Sequence, residues 1–223
     1  MDLGYRYLET DVHLSSDGVL FAFHDSNLRA RTGVDADIAD LSAAHIDALL
    51  VDGIAPVPRL ADIFLMWPLA RLNIDAKSDA AVLPLIRAVR DHAAIDRVCL
   101  GAFSDRRVKK FRADLGPSVC TSMGRLEAAR FYLAGWGLAD ARNLSAACAQ
   151  VPFRSWPSFV TRRLIDVAHE HGIQVHYWTV DDPADINKLI DLGADGIMTD
   201  EPRILRDTLI NRGVWVLEGA PTP

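Results

Sequence analysis

Short apolar runs alternate with amphipathic stretches along most of the chain. The runs that read as strands are Tyr7 to His13, Leu72 to Ala76, Val98 to Phe103, Val119 to Met123, Ala149 to Phe153, Ile173 to Val180 and Gly196 to Thr199. Between them, apolar residues recur at i, i+3 and i+4 spacing, as in Val82, Leu85, Ile86 and Val89. That spacing predicts helices over Ala80 to His92, Asp105 to Leu115, Arg125 to Ala134, Phe159 to His171, Pro183 to Leu192 and Glu201 to Arg212. The punctuation agrees: Ser104-Asp105 and Asp182-Pro183 can start helices, and Gly116, Gly172 and Gly193 can stop them. Strands alternating with helices predict a parallel sheet covered by helices. The chain has no GxGxxG or P-loop of the kind an open doubly wound sheet usually carries, so the expected class is α/β, a (β/α)8 TIM barrel. The predicted strands leave such a barrel one short.

One segment breaks this rhythm. From Leu14 to Ile63 the pattern gives a hairpin at Asp17-Gly18, a polar arm from Asn27 to Asp40 and a small helix from Ser42 to Leu50. Ser42 is followed by His45 rather than Glu, which makes only a partial cap signal. An insertion of this length in a compact domain is usually functional, as a lid or a substrate-binding loop. The organisation expected is one domain over residues 1–217 with an insertion at about 14–63, and a frayed tail at 218–223.

Composition narrows the function classes. Half of the 223 residues are hydrophobic, enough for a sizeable core. A net charge of -6 gives no electrostatic footprint for nucleic acid. The basic cluster Arg106, Arg107, Lys109, Lys110 and Arg112 reads as the solvated face of a helix. Cys99, Cys120 and Cys148 match no zinc spacing and are odd in number, which suggests buried thiols in a reducing compartment. There is no apolar stretch approaching the ~18 residues of a membrane span and no signal-peptide pattern, so a soluble, cytoplasmic protein is expected.

The chemistry begins at Glu9 and Asp11, which share one strand face by period 2, whereas Leu8, Thr10 and Val12 alternate with them. An inner barrel strand has no solvent face to hold two such acids, which points to function. A little further on, an apolar run ends at His24-Asp25, where Asp25 can orient the imidazole. Two acids and a histidine at neighbouring strand ends are the raw material of a metal-assisted hydrolase. His13, His45, His92, His169, His171 and His176 read as structural or surface residues, His176 least securely because it shares a strand face with Trp178.

The ordered set Glu9-x-Asp11-Val12, Asp17-Gly18, His24-Asp25 and Leu28-x-x-Arg31-Thr32-Gly33 resembles the signature of the glycerophosphodiester phosphodiesterase family. Pro58-x-Leu60, Asn73-Ile74-Asp75-Ala76-Lys77, Trp178-Thr179-Val180 and Asp195-Gly196-Ile197-Met198-Thr199-Asp200-x-Pro202 are similar to its later motifs and come in the same order. The resemblance implies metal-dependent hydrolysis of a small-molecule glycerophosphodiester to glycerol 3-phosphate and an alcohol. It implies that Glu9, Asp11 and Asp75 bind Mg2+ or Ca2+, an all-oxygen set that suits a hard cation. Lys77, on the strand face of Asp75, would neutralise phosphoryl charge. His24 would be one of two acid/base groups, and Trp178 a flat wall for the glycerol backbone. Oligomeric state stays open, a homo-oligomer included.

The sequence also departs from the pattern. The family's first strand carries His-Arg-Gly and its first helix Glu-Asn-Thr, and neither motif is present. A start assigned too far downstream or a trimmed N-terminus, an inactive relative, and completion by another chain or segment are the competing explanations. Asp75 stands where the family more often has Glu. Two other functions remain in view: a lysophospholipase D or sphingomyelinase-D-like lipid enzyme, with Phe64, Met66 and Trp67 on an apolar rim at the barrel mouth, and a non-catalytic binding protein.

Overall fold

The computed structural model describes residues 1–156 and 158–215. The expected tail at 218–223 lies outside the described residues. Two compact units result, one from Tyr7 to Thr121 and the other from Met1–Arg6 together with the chain from Ser122 onward.

The first unit opens with β1 (Tyr7–Leu14), which turns through Ser15 to Gly18 into β2 (Leu20–Ala22). Gly18 sits at φ 90°, a left-handed position that a side chain would strain. Next come α1 (Arg29–Thr32), α2 (Ala43–Asp47), the hairpin of β3 (Leu50–Val51) and β4 (Ala55–Pro56), and α3 (Leu60–Met66). The barrel-type units β5 (Arg71–Ala76), α4 (Asp79–Asp91), β6 (Val98–Gly101), α5 (Asp105–Leu115) and β7 (Cys120–Thr121) complete it. Its sheet runs β2-β1-β5-β6-β7 and is parallel except for the β1/β2 hairpin. Alternation in β5 sends Leu72, Ile74 and Ala76 into a core shared with Val82, Leu85, Ile86 and Val89 of α4. Each large side chain buried there contributes ~1.5–3 kcal/mol relative to exposure. The other face of the same strands is therefore free to be polar.

The insertion has a core of its own, formed by Phe21, Leu28, Ile38, Ala43, Ile46 and Val57. Its small helix is capped from a distance: Asp17 Oδ1 accepts from the Ala43 amide at 2.9 Å and from Ser15 Oγ at 2.7 Å. Ser42 at the start of the helix makes no side-chain cap, and its Oγ pairs with His45 Nδ1 at 2.8 Å.

The second unit holds α6 (Arg125–Gly135), β8 (Cys148–Pro152), α7 (Arg162–Glu170), β9 (Gln174–Trp178), α8 (Pro183–Leu192), β10 (Gly196–Ile197) and α9 (Pro202–Asn211). Its parallel sheet has the order β10-β9-β8, and Val175 and Tyr177 of β9 are buried in its core. Asp182 caps α8 by accepting from the Ala184 amide at 2.7 Å, and Gly193 closes that helix in the left-handed conformation. Gly196 has a different role, since a Cβ there would meet the His176 ring at 2.6 Å. All seven expected barrel strands are present, and strand pairing among the described residues groups them into these two sheets.

Candidate active site

The ladder between β1 and β5 decides the site. Its register sets Glu9 beside Asn73 and Asp11 beside Asp75, on the face turned away from the apolar core. Like charges directly opposite each other on neighbouring strands are destabilising, so Asp11 and Asp75 need a counter-charge. Lys77 provides it: its ammonium lies 2.9 Å from Asp11 Oδ1 and 3.8 Å from Asp75 Oδ2. The backbone holds the lysine in place, because the Lys77 amide donates to the Val12 carbonyl of β1 at 3.3 Å. The ammonium also lies 5.8 Å from the ring centroid of Phe103, an exposed aromatic just beyond β6.

His24 comes from the insertion. β2 continues past its ladder with the Phe23 amide donating to the Asp11 carbonyl at 3.0 Å, and this delivers the next residue to the carboxylates. His24 Nε2 lies 3.8 Å from Asp11 Oδ2, whereas Nδ1 is 2.7 Å from Asp25 Oδ1. The imidazole is 87% exposed and Asp11 only 6%, so the histidine is not a packed core residue.

The electrostatics follow from this crowding. Surrounding protein desolvates Glu9, and Asp11 and Asp75 add like charge, so its carboxyl is pushed up to about 7. Lys77 and His24 pull the other way and offset part of the like charge. Burial raises Asp75 above the usual carboxylate range against the pull of Lys77. For Lys77, burial opposes the charged form, yet the hydrogen bond to Asp11 and the neighbouring carboxylates outweigh it and the net shift is upward. The hydrogen bond that His24 donates to Asp25 raises the imidazole, and the Asp11 charge adds to it.

These residues suit a hard cation by their donor chemistry, and one atom asks for a partner: Asp75 Oδ1 is buried without any hydrogen bond. As they stand, no group of three or more His, Cys, Asp or Glu side chains among the described residues is arranged to hold an ion. The Lys77 ammonium lies between the two aspartates in this arrangement.

Glu9, Asp11, His24, Asp75 and Lys77 are thus brought together in one unit. Trp178 ends β9 in the other, where its carbonyl accepts from the Phe153 amide at 2.7 Å. Three expectations need correction. Glu9 is exposed; β1 pairs with β2 only over Val12–Leu14, and among the described residues no other strand of its sheet pairs on that side. The apolar rim is not formed: Phe64 is buried, and Met66 and Trp67 lead into the amino end of β5, opposite to the end that carries Asp75. The basic face of α5 is not uniformly solvated, since Arg107 Nη1 donates to the Ala76 carbonyl at 2.9 Å and Arg112 Nε to Thr121 Oγ1 at 2.8 Å. Phe103 and Arg107 were missed by sequence reasoning. An aromatic at a strand's carboxyl end was an available signal for Phe103, whereas Arg107 gave none.

The other histidines have local partners. His92 Nδ1 pairs with the Ala88 carbonyl at 2.9 Å, His171 Nδ1 with the Val167 carbonyl at 2.9 Å, and His169 Nε2 with Asp195 Oδ2 at 2.9 Å. His13 Nε2 lies 3.2 Å from the His24 carbonyl, and His176 Nε2 lies 3.2 Å from Gln174 Oε1.

Among proteins of known family, the chain is 33% identical to a probable glycerophosphodiester phosphodiesterase 2 of Mycobacterium tuberculosis, covering 96% of this chain and 83% of that one. It is 28% identical to a glycerophosphodiester phosphodiesterase of Caldanaerobacter subterraneus, over 95% and 87% of the two chains. A putative glycerophosphoryl diester phosphodiesterase from Silicibacter pomeroyi superposes with a TM-score of 0.77 at 23% identity, covering 96% of this chain and 87% of that one. A phosphodiesterase of Oleispira antarctica in complex with the product sn-glycerol-3-phosphate does so with a TM-score of 0.76 at 19% identity, over 94% and 87%. These structures share the TIM-barrel fold class expected from the strand and helix pattern. The model of the glycerophosphoryl diester phosphodiesterase family matches residues 1–204, across both units, and the chain belongs to that family of phosphoric diester hydrolases.

Proposed function

We propose that this chain hydrolyses glycerophosphodiesters to glycerol 3-phosphate and an alcohol, using a divalent cation, Mg2+ or Ca2+, held by Glu9, Asp11 and Asp75. The observation that carries the reading is the convergence of Asp11, Asp75, Lys77 and His24 at the carboxyl ends of β1, β2 and β5. When bound, the cation would supply Lewis-acid polarisation of the phosphodiester and a site for an attacking hydroxyl or water.

The chain's own groups do the rest. Lys77 places a positive charge where a phosphoryl oxygen would otherwise meet the carboxylates. With Nδ1–H donating to Asp25, Nε2 of His24 is the nitrogen that exchanges a proton with the reacting groups. Because Asp25 raises its pKa, His24 keeps its proton to higher pH than a free imidazole and suits donation to the leaving alkoxide.

The test is release of glycerol 3-phosphate from glycerophosphocholine in Mg2+ or Ca2+, with a chelator as control. Activity lost with chelator and in Glu9→Ala and His24→Ala supports the reading. Inactivity on several diesters with either cation sinks it, as does full activity in both variants. A lysolipid substrate is the second reading, favoured by a lysophospholipase D of Mus musculus that is 24% identical over 94% of this chain. Competition between glycerophosphocholine and a lysolipid separates the two.

A further inference from the structure

The basic residues of α5 serve different ends. Arg106 is 79% exposed and pairs with Asp79. Arg107 is only 21% exposed and uses two edges of its guanidinium at once: Nε donates to Asp79 Oδ1 at 2.7 Å, and Nη1 donates to the Ala76 carbonyl at 2.9 Å. Ala76 is the last residue of β5 and lies between Asp75 and Lys77. Asp79 is the first residue of α4. A single planar group from α5 therefore joins the exit of β5 to the start of the next helix.

The location matters because this exit is lightly held. The ladder from β5 to β6 ends at the pair Asp75 and Gly101. On the opposite side, the Lys77 amide donates to the Val12 carbonyl at a long 3.3 Å. Asp75 and Lys77 must nevertheless keep their side chains in register with Asp11 across β1. A guanidinium presents its donors in a rigid fork, whereas a lysine at this position would satisfy one acceptor and leave the other.

We propose that Arg107 is a positioning residue for Asp75 and Lys77, fixing the β5 exit from which both side chains reach the site. It acts through Ala76 and Asp79 and touches neither the phosphodiester nor the reacting atoms. The inference rests on the phosphodiesterase reading for its catalytic meaning, but its geometric content can be measured without turnover.

The experiment follows hydrogen exchange of the Lys77 amide by NMR, together with kcat and KM on glycerophosphocholine. Arg107→Ala, Arg107→Lys and Arg106→Ala are compared at one pH, with circular dichroism confirming that each is folded. In Arg107→Ala the Lys77 amide is expected to exchange on the order of tenfold faster. In the same variant kcat falls about 10- to 100-fold with KM little changed. Arg107→Lys lies between, added guanidinium restores part of the kcat lost in Arg107→Ala, and Arg106→Ala stays near the parent protein. Unchanged exchange in Arg107→Ala, or an equal loss in Arg106→Ala, overturns the proposal. A parent protein that hydrolyses no diester, alongside faster Lys77 exchange in Arg107→Ala, overturns the functional reading and leaves the positioning role supported.

Discussion

The β1/β5 pair lines up Asp11 and Asp75 on one face with Lys77 between them, whereas the insertion closes on Phe21, Leu28, Ile38, Ala43, Ile46 and Val57. The first arrangement carries like charges in adjacent positions and leaves a buried carboxylate oxygen without a partner. The second is a dry apolar cluster within fifty residues of chain that hold only short elements. Unlike burial, crowding of charge does not stabilise a fold. The insertion therefore adds apolar burial next to the charged face and delivers His24 just beyond its first strand.

The sharpest way to break this comparison is to separate activity from stability. His24→Ala should lower hydrolysis by about 10²- to 10⁴-fold. The same change should move the unfolding free energy by no more than ~0.5 kcal/mol, as for a surface substitution. A large drop in thermal midpoint would instead make His24 a structural residue. The mirror experiment is Phe21→Ala or Ile46→Ala, expected to cost about 2–5 kcal/mol in urea unfolding. Turnover per folded molecule, measured well below the melting temperature, should be nearly unchanged. If kcat collapses while the variants remain folded, the insertion is doing more than holding His24.

A smaller effect is expected at the counter-charge. Lys77→Met leaves the buried Asp11 without its ammonium and should destabilise by ~1–3 kcal/mol. Added Mg2+ or Ca2+ should recover part of that loss, measured as a rise in unfolding midpoint with cation concentration. No response to either ion would count against cation binding by these carboxylates. Smallest is Asp17→Asn, at the turn that caps α2. The hydrogen bonds from Ser15 and the Ala43 amide hold the Asp17 carboxyl below its ordinary value. Its stabilisation is therefore present above the unfolded value of ~3.9 and is lost as pH falls through the lower folded value. The asparagine variant should show a flatter stability curve between about pH 5 and 2.

The barrel-type strands were legible because alternation in β5 and periodicity in α4 both report burial on one side. The pairing of Glu9 with Asp11, and of Asp75 with Lys77, was legible for the same reason: period 2 fixes the face. Pairing across strands was not. No local pattern shows that Asp11 stands opposite Asp75, or that an α5 arginine reaches the Ala76 carbonyl, because both depend on contacts distant in sequence. α3 was missed because its seven residues leave room for barely two turns of periodicity. The β3/β4 hairpin turns at Asp52-Gly53, a dipeptide that signals such turns, but strands of two residues give no alternation to read.

The register of β1 against β5 also limits how the protein can be altered. Six consecutive pairs, from Tyr7 with Arg71 to Val12 with Ala76, fix which side chains face each other. Deleting one residue within β1 would bring Thr10 or Val12 opposite Asp75 and turn Asp11 to the other face. The same slip would turn Val12 out of the apolar core and Asp11 toward it, so chemistry and folding would be lost together. The exposed hairpin tip at Gly53 and Ile54 carries no such constraint. Labels, tethers and added sequence belong there, and strand β1 should keep its length.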